Sequence, residues 1–474
     1  MWYNTSIMQK LYNTLSGKKE VLKARPGKKL NLFVCGPTVY DFSHLGHART
    51  YVVFDAFVRF LRSQGHPVYY LQNITDIDDK IIKRAREKKL QPRSLARMFE
   101  KEYLKDMKAL GVESVSEYAR ATEHIPEIIS QVQRLLKKGY AYEVKGEGIY
   151  YDILRFKNYG KLSRRTSLQA EDAVSRIDES SKKLNKGDFA LWKFAKVGSD
   201  PTWPSPWGFG RPGWHIEDTA IAEKRFGVQY EMHGGAQDLI FPHHEAEIAQ
   251  MEAISGKKPM AKHWLHTGFL TVKGEKMAKS LGNFVTIQDF LKEHSARVLR
   301  LLVLKTRYRS SIDYSENLLL QTERELERID EFIDRLKSKI QNKKSETDSK
   351  PQISKFKTEF QNALENDFNT PKAISVLFEA VSKGNGLLTK DKLGGRGTTA
   401  ILAFLMEADK IFGFIFSKEK KAVIPPAVLK LAQARERHRK AKAWQKADEI
   451  RTKLLRQGWR IDDTSQGPRL KKMS

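Results

Sequence analysis

The sequence predicts an α/β protein built on a parallel sheet, followed by helices and a small basic α+β segment. Three observations carry this. Leu30 to Val34 is a short apolar run ended by Cys35-Gly36-Pro37, as a buried strand shows. Thr50 to Leu61 then repeats apolar residues at helical spacing until Gly65 stops the pattern. Val68 to Leu71 reads as the next strand. Strand, turn, helix and strand in that order open a doubly wound sheet.

The turn before the helix holds His44-Leu45-Gly46-His47. A helix start attracts anions through its free N–H groups and its dipole. Two imidazoles there can donate to a phosphate, and Gly46 lets a nucleotide lie close to the backbone. Far downstream stands Lys276-Met277-Ala278-Lys279-Ser280-Leu281-Gly282-Asn283. Two lysines three apart can close over a triphosphate as point charges. The two stretches, about 230 residues apart, are far more specific together than either alone.

Asn73 to Asp79 ends a strand with polar residues, the usual place for a site in an open α/β sheet. Ile125, Ile128, Ile129, Val132, Leu135 and Leu136 form a helical stripe that stops at Gly139. Tyr142 to Leu154 reads as extended segments, and a polar, charged stretch follows to about Lys186. The sheet is expected to resume around Trp192 to Ile221. Gln229 to His233 approaches a further strand, and His243 to Ile254 reads as helix. Asn317 to Ile340 is a long charged helix, and Gln341 to Pro351 a lysine-rich connector. Phe356 to Phe416 contains amphipathic helices, which Gly384-Asn385-Gly386 and Gly394-Gly395 are expected to interrupt. Lys418 to Pro426 reads as a linker and Ala427 to Leu455 as helix again. Trp459 to Leu470 reads as short strands with a turn at Gln466-Gly467-Pro468.

A chain of 474 residues has room for several domains. It contains no run of 18 apolar residues, so no membrane span is expected. The first twenty residues lack a long apolar stretch and a cleavage pattern, and read as part of the mature protein. Cys35 is the only cysteine, which excludes an internal disulfide framework and fits a reducing cytoplasm. Net charge is +28, which favours a polyanionic partner. From Lys421 to Ser474 there are 15 Lys and Arg against 5 Asp and Glu, pointing to an RNA-facing tail.

H-x-G-H followed by K-M-S-K-S, here K-M-A-K-S, marks the class I aminoacyl-tRNA synthetases, and the flanks narrow the resemblance. CGPTVYD, NITDIDDKI, SPWGFGRPGWHIE, HGGAQDLIFPHHEAEIAQ, EKMAKSLGN and DFNTP stand here in order. Together they resemble cysteinyl-tRNA synthetase, from the Asn13-Thr14 region to the C-terminus. The resemblance implies a Rossmann-like catalytic domain in two halves, 1–120 and 191–260, around an insertion at 121–190. It implies a stem-contact region with the lysine loop at 261–312, a helical bundle at 313–416 and an anticodon-binding domain at 427–474. The family suggests a monomer without membrane attachment. Its partners would be tRNA(Cys), L-cysteine and ATP with Mg²⁺.

Carried over by motif, His44, His47, Lys276 and Lys279 would serve catalysis of cysteine activation. Gly46, Gly234, Gly235, Asp238 and Lys279 would hold ATP, with Asp238 on the ribose. Thr75, Trp214 and His215 would form the cysteine pocket. Zinc, which reads the substrate thiolate, would sit on Cys35, Asp218, His243 and Glu247. The last two are spaced i and i+4, so one helix can aim both at one point. Trp459 is expected to be available for stacking on an unpaired base. Three positions depart from the family: Ala278 replaces a serine, Ala236 a glycine and Asp218 a second cysteine ligand. An amino-sugar ligase of the same fold would lack the helical and basic C-terminal parts, and a non-catalytic relative would carry damaged histidine or lysine stretches.

Overall fold

The computed structural model describes residues 9–23, 28–165, 180–195, 201–277, 283–341, 353–417, 425–464 and 467–472. Five parallel strands form its centre, in the order Ala261–Thr267, Tyr230–Ala236, Leu30–Val34, Val68–Ile74, Glu117–Arg120. Leu32, Phe33, Val34, Leu71 and Trp264 are fully buried, as expected of parallel strands that read as continuous apolar runs. Leu30–Val34 pairs with Val68–Gln72 on one side and with Met232–Gly234 on the other. Sequence order reverses direction at that strand. Open α/β sheets bind their ligands in the crevice at such a point, beyond the carboxyl ends of the strands. The helix expected from Thr50 begins earlier and spans Leu45–Ser63, because His44 caps it.

The sheet does not resume around Trp192. Phe189–Phe194 joins an antiparallel sheet with Ala141–Val144, Gly148–Tyr151 and Gly210–Pro212. Phe189 to Trp192 are buried, but the hairpin of Ala141–Val144 and Gly148–Tyr151 supplies their partner. Glycine makes the close approach possible: a Cβ on Gly148 would lie 2.2 Å from the Trp192 carbonyl oxygen. This sheet crosses the boundary expected at residue 190. The parallel sheet returns only at Tyr230, and its last strand, Ala261–Thr267, lies wholly beyond the boundary expected at residue 260.

The long charged helix spans Glu316–Gln341. Gly384-Asn385-Gly386 does not interrupt a helix; it lies inside Thr370–Thr389. A Cβ on Gly384 would sit 2.4 Å from the Phe332 ring, so this glycine serves helix packing rather than helix ending. Gly394 does mark a boundary, as the cap of Gly395–Phe412. Of the connectors expected at 341–351 and 418–426, residues 342–351 and 418–424 lie outside the described residues, as does Gln466, while Gln341 ends one helix and Pro426 begins another.

The chain divides into two compact units, one of Met1–Gln288 with Ala296–Ile415 and one of Asp289–Ser295 with Phe416–Ser474. In the second, the stretch expected as one helix is two, Pro426–Lys440 and Trp444–Arg456. Lys442 takes a left-handed conformation (φ 58°) between them. The hairpin Trp459–Thr464 with Gly467–Lys472 completes the unit. Val428, Ala432, Leu454, Trp459 and Ile461 form its core. Trp459 is therefore buried, at 4% exposure, and is not available to stack on a base. The exposed ring in this unit is Trp444, at 58%. Among the described residues, no helix is long and apolar enough to cross a membrane.

Candidate active site and metal centre

The histidine turn is locked by its own side chains. Gly46 N–H donates to His44 Nδ1 at 3.0 Å, and His44 N–H donates to His47 Nδ1 at 3.2 Å. This is a capping box made of imidazoles. Because both Nδ1 atoms accept, both rings carry their proton on Nε2. The rings stack at 3.9 Å. Burial, and then the neighbouring His44, push the pKa of His47 well below the ordinary range. The ring is thus a neutral donor at neutral pH.

The lysine stretch is brought to this turn. Lys276 ends the strand Glu275–Lys276, and Thr271 pairs with it. The next residue, Met277, is buried, and its Cε lies 3.7 Å from where a Cβ of Gly46 would be. Leu45 N–H donates to the Val285 carbonyl, and Ile287 N–H to that of Ser43. The two distant signatures therefore share one surface. Lys279 lies outside the described residues. Arg49, one turn into the helix, is 1% exposed and donates to the carbonyls of Phe269, Tyr308 and Ser310. It ties the histidine helix to the base of the strands that carry Lys276.

At the carboxyl ends of the central strands four acidic or basic donors converge. Cys35 follows Leu30–Val34, and Asp218 sits in the first turn of Ile216–Phe226. A wide turn over Ile240–His244 runs straight into the helix Glu245–Ser255, so His243 and Glu247 face one point as expected. His243 Nε2 lies 3.0 Å from Asp218 Oδ2 and 2.9 Å from Glu247 Oε1. Cys35 Sγ lies 3.6 Å from Glu247 Oε1. The four donor atoms fall within 4.8 Å of one another, and all four residues are buried.

Electrostatics marks the site as unusual. Burial, then Glu247 and Asp218, push the Cys35 thiol up. Burial alone would lower the pKa of His243, but Glu247 and Asp218 hold it up at about 10. Asn73 orients the set: its amide donates to Asp218 Oδ1 at 2.6 Å and to Thr75 Oγ1 at 3.3 Å, while its carbonyl accepts from Gly36 N–H at 2.6 Å. Asp218 Oδ2 is thereby turned to the cluster.

The remaining expected residues are placed in different ways. Trp214 is half-buried and stacks on His243 at 4.4 Å. Thr75 is buried and donates to Glu217 Oε2 at 3.0 Å. His215 is buried behind His243, with the two Nδ1 atoms 2.9 Å apart. Gly234 and Gly235 end a central strand: a Cβ would meet the Phe54 ring at 2.3 Å from the first and His244 at 3.0 Å from the second. Asp238 is exposed on the short turn Gln237–Leu239.

Sequence reasoning did not assign Asn73, Arg49, Glu217, His233, His244 or His266. His233 and His244 lie inside the quoted motif, and the doublet His243-His244 was the available signal. His244 Nε2 lies 3.1 Å and His233 Nε2 3.4 Å from Cys35 Sγ. Burial pushes the His233 and His244 rings well below their ordinary pKa, and that of His266 down to about 3.

Residues 21–324 match the model of the class I (C) tRNA synthetase catalytic domain, and 359–417 that of the DALR domain. A cysteine–tRNA ligase of Carboxydothermus hydrogenoformans is 43% identical over 468 residues, covering 98% of this chain and 100% of its own. The chain belongs to the cysteine–tRNA ligase family. Its relative from Thermococcus gammatolerans is 43% identical over 471 residues, covering 97% of this chain and 98% of its own. Coverage of this extent takes in the helical and basic C-terminal parts. Among solved structures, methionyl-tRNA synthetase of Mycobacterium tuberculosis is similar with a TM-score of 0.61 at 13% identity, over 81% of this chain and 92% of that one. That likeness concerns the fold. The α/β architecture predicted from the strand–turn–helix opening thus agrees with the cysteine–tRNA ligase family, and the buried Cys, His and Glu group is compatible with the zinc expected of it.

Proposed function

We propose that this protein is an ATP-dependent cysteine–tRNA ligase, with its zinc ligands at Cys35, Asp218, His243 and Glu247. The observation that carries the reading is the convergence of those four donors at the sheet's reversal point, beside a histidine turn that meets the lysine stretch. Pyrophosphate exchange dependent on cysteine, followed by charging of tRNA(Cys), tests it. An absence of exchange in folded protein would refute it.

The donor set fits a divalent cation. Three acidic groups and one imidazole meet where water is excluded, and positive charge is what holds such a group together. When bound, zinc supplies a soft Lewis acid for the substrate thiolate. Asn73 aims Asp218, His215 buttresses His243, and Trp214 walls the space next to His243. Thr75 closes the pocket from the neighbouring strand end.

In the first step a cysteine carboxylate oxygen attacks the ATP α-phosphorus, and the bond to pyrophosphate breaks. In the second, a hydroxyl of the terminal adenosine attacks the acyl carbon, and AMP leaves. The protein's task is positioning and charge stabilisation. His44 and His47 donate from Nε2 to phosphate oxygens, while Lys276 and Lys279 meet the departing pyrophosphate. Gly46, Gly234, Gly235 and Asp238 border the nucleotide, and Mg²⁺ accompanies it.

Arg49 is a positioning residue in this scheme. Arg49→Lys keeps the charge but cannot span three carbonyls. The expected result is a drop of roughly 10–100-fold in the turnover of pyrophosphate exchange, as small misplacements give, with the KM for cysteine little changed. Parallel changes in both constants would argue for general loosening instead.

The basic second unit is assigned to tRNA. A chain ending at Ser417 is expected to exchange pyrophosphate normally and to charge tRNA poorly. Electrostatic contacts to phosphates supply most non-specific affinity, and the exposed Trp444 offers a stacking face. Full charging by a folded, shortened chain would remove the RNA role from this unit.

A further inference from the structure

We infer that the chain holds a second metal seat made of Cys35, His233, His244 and Glu247, sharing two donors with the zinc seat proposed above. The inference rests on that zinc reading and concerns a different donor set. Bonds of about 2.0–2.3 Å arranged tetrahedrally place donor atoms roughly 3.3–3.7 Å apart. Here Cys35 Sγ lies 3.1 Å from His244 Nε2 and 3.4 Å from His233 Nε2, and His233 Nε2 lies 3.1 Å from Glu247 Oε2. The four donor atoms lie within 4.8 Å of one another, all buried.

Glu247 divides its two oxygens between the seats. Oε1 faces His243 and Cys35. Oε2 is fully buried and has no hydrogen-bond partner among the described residues, although it points at His233 Nε2. A buried carboxylate oxygen left without a donor is costly, and a cation removes the cost.

The histidines are held as metal-binding imidazoles are held, through the ring nitrogen facing away. His244 Nδ1 lies 2.8 Å from His266 Nε2, and His266 Nδ1 lies 2.8 Å from Thr14 Oγ1. If each Nδ1–H donates along this line, His244 Nε2 keeps its lone pair for the seat. His233 Nδ1 lies 2.7 Å from the Tyr230 hydroxyl. The ring of His233 stacks between Phe33 and Trp264 in the core, whereas His243 stacks on half-buried Trp214. The second seat is therefore the inner one.

Charge explains why this chain can use it. Two anions and two neutral imidazoles neutralise a divalent ion, which suits a site without water. Because Cys35 and Glu247 are shared, one ion occupies one seat at a time. An ion that loses the outer donors Asp218 and His243 passes to the inner pair rather than to solvent.

Cobalt(II) is the probe, in the full-length chain. The double variant Asp218→Asn, His243→Gln keeps side-chain shape and removes both donors unique to the outer seat. It is expected to bind one cobalt with tetrahedral visible bands and a thiolate charge-transfer band. Adding His244→Ala is expected to abolish both. A folded double variant that takes up no cobalt, or bands untouched by His244→Ala, would overturn the inner seat. Should the double variant not fold, X-ray absorption of the zinc-loaded single variant Asp218→Asn decides: two imidazole donors support the inner seat, and one overturns it. If the native chain itself binds no cobalt, the proposed zinc reading fails as well, which separates the two ideas.

Discussion

Lys279→Ala is expected to slow cysteine activation by about 10²–10³-fold, the scale seen when one donor to a developing charge is removed. The binding of cysteine should be almost unchanged. Lys279 stands three residues after Lys276, whose strand is fixed by pairing with Thr271. Its charge would meet pyrophosphate oxygens as the bond to the α-phosphorus breaks. An interaction made mainly in the transition state lowers turnover and the specificity constant together, and leaves ground-state affinity alone. Pyrophosphate exchange at saturating ATP and cysteine reads the effect directly. Turnover equal to that of the native chain would remove Lys279 from the mechanism. Loss of cysteine affinity without loss of turnover would place it in the pocket instead.

The parts of the fold legible in the sequence were those with a local cause. The Leu30–Val34 strand, the Ile125–Lys137 helix and the Glu316–Gln341 helix each follow from a run or a period. Partner choice was not legible. The apolar run at Phe189–Phe194 is equally suited to a parallel or an antiparallel neighbour, and a nearby hairpin settled the matter. Gly384 looked like punctuation because a sequence does not show Phe332 packed against it. Trp459 looked like a binding face because burial in a small core leaves no periodic trace in two short strands.

The site shows the same division. Motif resemblance placed Cys35, Asp218, His243 and Glu247, and their donor atoms do meet. Asn73, Arg49 and His266 act through neighbours distant in the chain, so no spacing could reveal them, whereas the His243-His244 doublet did offer a signal for His244. Arg49 in particular stands just before the stretch read as an apolar helix, yet it binds carbonyls more than 200 residues away.

Asp218 makes the sharpest test of how cysteine is chosen. Serine differs from cysteine by oxygen in place of sulfur, and pocket shape alone separates such pairs by roughly 10–200-fold. A direct bond from thiolate to metal adds a chemical criterion that a hydroxyl meets poorly. Asp218→Ala is therefore expected to bring the ratio of kcat/KM for cysteine over serine down to about 10²-fold or below, even where an ion is retained on the inner donors. Asp218→Cys should behave differently. Thiolate and carboxylate are both monoanions, and zinc accepts oxygen at about 2.0–2.2 Å and sulfur at about 2.3 Å. The outer seat would keep its charge and its place beside Trp214. One contact would be lost, because Asn73 Nδ2 donates to Asp218 Oδ1 at 2.6 Å and a thiolate has no second atom to offer. That amide keeps Thr75 Oγ1 at 3.3 Å, so the loss should cost about 1 kcal/mol and lower Tm slightly. The expected pattern is selectivity lost in Asp218→Ala and kept in Asp218→Cys, with the latter a little less stable. Full selectivity in folded Asp218→Ala would mean that this enzyme chooses cysteine by shape, with the aspartate serving only to order Asn73 and Thr75.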